Sequence, residues 1–154
     1  MDPIHRLVQI TSANISNFAL LADDFNPIHM NDEAARAAGF EGRICHGALF
    51  TAIISGMIAE AFPGAIWMEH QIQFKRPALV GQTLDFSVSL DSTIKKPAKT
   101  LGVITAEVRN TAGNLLATSR NVVLLPAGAQ LEKEFAAALP QASASPSGAA
   151  EKRG

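Results

Sequence analysis

Residues 46–62 read HGALFTAIISGMIAEAF. Small or apolar residues fill almost every position, the only polar interruptions being Thr51 and Ser55 until Glu60 arrives near the end. The run is too long for an ordinary strand, and nothing in it alternates with period two, so it reads as a helix. A helix without a polar face is expected to be buried all round. Pro63-Gly64 ends it. Whatever surrounds this helix must supply an apolar wall on several sides, and the rest of the chain is read with that requirement in view.

Downstream the period changes to two. In IWMEHQIQFK (66–75), Ile66, Met68, His70, Ile72 and Phe74 alternate with more polar neighbours; in TLDFSVSL (83–90), Leu84, Phe86, Val88 and Leu90 do the same. These are half-buried antiparallel strands. TLGVITAEVRN and LLATSRNVVLL are two more, joined by the hairpin signal TAGN at 111–114. Upstream lie a short strand-like LVQI, a helix in TSANISNFALLADD capped by Thr11 or Ser12, and a short helix in NDEAARAAGF capped by Asn31 and stopped at Gly39. Ile15, Phe18, Ala19 and Ala22 form the apolar face of the first helix. The class is therefore α+β, an antiparallel sheet curled around one apolar helix. Residues 1–126 make the domain, and 127–154, rich in Ala, Ser and Pro, read as a tail or a linker.

Composition narrows the function. The chain has 154 residues, 47% of them hydrophobic, and a formal net charge of −1, so there is no general electrostatic pull toward nucleic acid. The longest apolar segment is too short to span a bilayer, and no signal-peptide pattern opens the sequence. The single cysteine, Cys45, excludes an intrachain disulfide. A soluble cytoplasmic protein is the expectation.

The chemistry-bearing stretch is DFNPIHM, residues 24–30. Asp24 and His29 flank a turn that Pro27 stiffens and that Asn26 can hold by bonding the local backbone. Such a turn lets a carboxylate and an imidazole converge; the plainer reading makes them a helix-end acid and a surface histidine. Gly47 heads the apolar helix, where backbone N–H groups lack intrahelical partners and can hold an oxyanion. Ser55 is a lone hydroxyl inside that helix, and back-bonding to a carbonyl one turn earlier accounts for it equally well. His46 reads as a structural residue at the helix start, and His70 as a satisfied core or interface histidine. Cys45 and His46 are sequence neighbours that point apart, which disfavours a nucleophile pair. A metal site from Asp24, His29 and His46 is conceivable, but nothing in the spacing demands it, and none is expected.

The stretch ADDFNPIHMNDEAARAAGFEGRICHGALFTAIISGMI resembles the MaoC-like hydratase family, and more closely its (R)-specific enoyl-CoA hydratases that feed polyhydroxyalkanoate synthesis. The resemblance covers about residues 7–126, and DFNPIH followed by HG at the head of an apolar helix is its most specific part. It implies the hot-dog fold, in agreement with the pattern above. It implies Asp24 and His29 as the catalytic pair, the Gly47 N–H as the thioester-oxygen site, and Ser55 as a support for the site's hydrogen bonds. It implies an acyl-CoA substrate, no separate cofactor, and a homodimer. Asn26, Ile54 and Ile58 are expected beside the substrate, and Lys75 and Arg76 near the coenzyme phosphates, though a solvated strand end explains those two cations as simply. Two departures stand out. Many members carry Gly where this chain has Asp23, a second carboxylate that would disturb Asp24 if both faced the site, and the short N-terminus puts the first strand in question. The competing functions are a hot-dog acyl-CoA thioesterase and a non-catalytic acyl-CoA-binding module.

Overall fold

The computed structural model describes residues 2–127, so the expected tail lies, from residue 128 onward, outside the described residues. Nine elements follow one another. They are β1 (Ile4–Gln9), α1 (Ser12–Ala22), α2 (Pro27–Met30), α3 (Asp32–Ala37), α4 (Gly47–Ala61), β2 (Ile66–Phe74), β3 (Thr83–Lys96), β4 (Lys99–Asn110) and β5 (Leu115–Leu125). The strands form one antiparallel sheet in the order β1-β3-β4-β5-β2, and α4 lies on its inner face. This is the hot-dog architecture that the sequence predicts. No helix among the described residues is long and apolar enough to cross a membrane.

The core is the meeting of α4 with β3, β4 and β5. Phe50, Ile54, Met57, Ile58 and Ala61 recur at helical spacing and face the sheet. Leu84, Phe86 and Val88 of β3, Ile104, Ala106 and Val108 of β4, and Ala117, Val123 and Leu125 of β5 receive them. Phe50 meets Phe86 edge-on with ring centroids 5.6 Å apart. Truncating the fully buried Phe86 to alanine is expected to cost about 3–5 kcal/mol, a large share of a domain's stability, read as a lowered urea midpoint.

The helix is not buried on every side. Ala48, Ala52, Gly56, Ala59 and Glu60 are exposed in the single chain. The expectation of all-round burial fails because these side chains are too small to register as a polar face, although the fold leaves them uncovered. Glu60 pairs there with Arg6 from β1. The first strand, in question from sequence, does form: all six residues of β1 pair with β3, from Ile4 opposite Val88 to Gln9 opposite Thr83. Thr11 caps α1 in a reciprocal arrangement with Asn14.

The alternation in β2 is broken. Pairing with β5 shifts register between Trp67 and Glu69, leaving Met68 as a bulge. Trp67 pairs with inward-facing Val123, and His70 with inward-facing Asn121. Ile66 and Met68 are therefore exposed instead of sharing the inner face with His70, Ile72 and Phe74, as strict period two implies.

Candidate active site

The stretch DFNPIHM contains a turn of helix, where the sequence suggests only an irregular bend. Pro27 occupies the first position of α2, where its missing N–H costs nothing, and Asn26 caps it by accepting the Ile28 N–H at 3.3 Å. One residue earlier, the Asn26 N–H donates to Asp24 Oδ1 at 3.2 Å. Asn26 thus orders both ends of the loop, and its side chain serves the backbone. These local bonds turn His29 inward, where it is only 8% exposed.

His29 is fixed by its own ring. Nδ1–H donates to the Ile44 carbonyl at 2.7 Å, which leaves Nε2 as the atom free to exchange protons. Ile44 is itself held, by its N–H to the Ile28 carbonyl at 3.1 Å and by a bridge to Leu79. The His46 ring lies against this ring with centroids 3.9 Å apart, and the Phe18 ring is 5.0 Å from that of His46. His46 is 1% exposed and donates Nε2–H to the Asp24 carbonyl at 3.0 Å; the same nitrogen is 3.9 Å from Asp24 Oδ2. A residue read from sequence as structural therefore touches both expected catalytic groups. Its signal was its place one residue before Gly47, at the end where the helix turns toward Asp24.

Asp24, His29 and His46 place nitrogen or carboxylate atoms within 4.8 Å of one another. That span suits one water hydrogen-bonded to a carboxylate and an imidazole. The head of α4 adjoins this cluster. His46 is its N-cap but makes no side-chain cap bond, so no cap competes for the first-turn N–H groups. Gly47 also lets Phe74 lie against the helix start: a Cβ there would stand 2.6 Å from Cζ of Phe74, and the half-exposed ring would have to move.

The chain matches the family model described as a MaoC like domain over residues 2–113. The chain belongs to the MaoC-like family. It is 31% identical over 117 residues to an (R)-specific enoyl-CoA hydratase from Aeromonas caviae, covering 75% of this chain and 86% of that one. A mitochondrial 3-hydroxyacyl-[acyl-carrier-protein] dehydratase from Arabidopsis thaliana is 35% identical over 83 residues, covering 54% of this chain and 50% of that one. The solved (R)-hydratase of A. caviae, described as involved in PHA biosynthesis, superposes with a TM-score of 0.75 at 28% identity, over 81% of this chain and 95% of that one.

Asp23, which departs from the MaoC-like pattern, is the C-cap of α1 and sits in the left-handed region at φ 52°. Glycine adopts that conformation without steric cost, and aspartate tolerates it. Asp23 is exposed. Replacing it with glycine is expected to raise stability by about 0.5–1 kcal/mol, seen as a higher Tm, and to leave hydration intact.

The remaining MaoC-like assignments scatter. Ser55 lies two turns along α4 from Gly47 and makes no side-chain hydrogen bond among the described residues. Ile54 and Ile58, expected beside the substrate, are 1% and 4% exposed and belong to the sheet-facing stripe of the core. Lys75 and Arg76 are exposed directly after Phe74; their N–H groups share the Leu116 carbonyl, and Lys75 Nζ donates to Gln73 at 2.7 Å. Cys45 is buried, and desolvation pushes its thiol up to about 11, so it is no nucleophile at neutral pH.

Proposed function

We propose that this chain is an (R)-specific enoyl-CoA hydratase, adding water to a trans-2-enoyl-CoA to give the (R)-3-hydroxyacyl-CoA. The observation that carries the reading is the span of at most 4.8 Å linking Asp24 and His29 beside the uncapped head of α4. Asp24 takes one proton from the water as its oxygen bonds to C3. The electrons of the C2=C3 bond move onto the thioester oxygen, where the Gly47 N–H stabilises the enolate. His29, which enters the step with both ring nitrogens protonated, gives its Nε2 proton to C2, and the proton on Asp24 then returns to Nε2, restoring both groups. Acid–base help of this kind is worth about 10² to 10⁴ in rate, and one oxyanion donor roughly 10² to 10³. No cofactor enters these steps, since coenzyme A is part of the substrate.

In this reading Lys75 and Arg76, exposed cations directly after Phe74, meet the phosphates of coenzyme A. The working unit in this reading is a cytoplasmic homodimer. Among the described residues the β2 edge of the sheet has no strand partner and exposes Ile66, Met68 and Phe74, and α4 separately exposes its stripe of small residues. Both are surfaces that a second copy would cover. Sedimentation at micromolar concentration is expected to show a dimer, and a fully active monomer would reject it. The function itself is tested with crotonyl-CoA. Its conjugated absorbance is expected to fall with no release of free thiol. Thiol release matching substrate loss, with butyryl-CoA accepted equally, would instead make the chain a thioesterase.

A further inference from the structure

Side chains of β2 meet α4 along one line, the α4–β2 seam. Phe74 lies against Gly47 at its head, and His70 reaches Thr51 further along. Thr51, Ser55, Trp67, His70 and Ile72 are all half-buried, in contrast to the closed inner faces of β3 and β4. Thr51 stands one turn beyond Gly47, about 6 Å along the helix axis. An acyl chain with its thioester oxygen on the Gly47 N–H that enters this seam reaches Thr51 after about five carbons.

At that depth the seam is polar, and the direction of its hydrogen bonds is fixed from the far end. Asn121 Nδ2 donates to the Ile104 carbonyl at 3.2 Å and to Ser119 Oγ at 3.1 Å. Its Oδ1 therefore accepts from His70 Nδ1–H at 2.7 Å. That leaves Nε2 of neutral His70 as an acceptor, and the Thr51 hydroxyl donates to it at 3.0 Å. The proton of Thr51 is then committed, and what Thr51 Oγ1 still offers is acceptor capacity. The Trp67 indole, whose ring centroid is 4.8 Å from that of His70, has a buried N–H with no acceptor among the described residues. The half-buried Thr51 thus offers an acceptor and Trp67 a donor, the two kinds of group that a hydroxyl answers with its own donor and acceptor. A plain alkyl chain offers neither.

We propose that the α4–β2 seam takes an acyl chain bearing a hydroxyl group about five carbons from the thioester, recognised by Thr51 Oγ1 with His70 and Asn121 holding that oxygen in place. The proposal rests on the hydratase reading and adds the substrate class to it.

The test compares (E)-5-hydroxyhex-2-enoyl-CoA with (E)-5-methylhex-2-enoyl-CoA, which differ only in a hydroxyl for a methyl. The wild-type protein is expected to show a kcat/KM about fivefold or more higher for the hydroxylated substrate, the range of one net hydrogen bond. Thr51→Val is expected to bring the ratio to parity or below, through a higher KM for the hydroxylated substrate, and Thr51→Ser to restore the preference. Parity or a methyl preference in the wild type, or a preference that survives Thr51→Val, would overturn the proposal while hydration of crotonyl-CoA stands. Failure to hydrate any of the three thioesters would overturn the hydratase reading, and this proposal with it.

Discussion

Asp24→Asn is expected to lower kcat for crotonyl-CoA hydration by about 10² or more, with KM changed little. The amide keeps the shape of the carboxylate and the Oδ1 that accepts the Asn26 N–H at 3.2 Å, so the loop is retained. What it removes is the group that takes the water proton as the C3–O bond forms. That interaction exists mainly in the transition state, which is why the loss falls on kcat. Near-wild-type hydration in Asp24→Asn would show that another group is the base.

His29→Gln is expected to produce a loss of similar size. Glutamine cannot carry an exchangeable proton as Nε2 does, and it gives up the 2.7 Å bond from Nδ1 to the Ile44 carbonyl that aims the ring. Because the two side chains act on one water, the double variant Asp24→Asn/His29→Gln is expected to be only slightly slower than either single one. Single-turnover kinetics on the three variants check this. Fully multiplicative losses would mean that the two groups act on separate steps.

The fold was legible in the sequence because its two periodicities are clean. The apolar run at 47–61 must lay one face against the sheet, and Leu84, Phe86, Val88 and Leu90 all turn inward as their alternation requires. The failures have physical causes. Period two cannot reveal the Met68 bulge, which reverses the facing of Ile66 and Met68. Hydropathy cannot distinguish a small residue that is covered from one that is merely small, so the open stripe through Ala48, Ala52, Gly56 and Ala59 was read as buried. In the site, Asp24 and His29 come from one motif and lie within 4.8 Å of each other, with His46, the residue before Gly47, beside both. His46 is the structural residue its place at the helix start suggests, but its stacking against His29 and its bond to a backbone carbonyl leave no mark in sequence spacing. Thr51, Asn121 and His70 come together from α4, β5 and β2, and no local pattern connects them.

The most direct test of the shared water is the stereochemistry of hydration in deuterated water. If Asp24 and His29 hold one water on one side of the enoyl group, oxygen reaches C3 and hydrogen reaches C2 on the same face. Hydrating crotonyl-CoA in deuterium oxide and analysing the 3-hydroxybutyryl product by chiral separation and proton NMR is expected to give syn addition, one deuterium at C2, and (R) configuration at C3. Anti addition would place the two groups on opposite faces of the substrate and contradict the account.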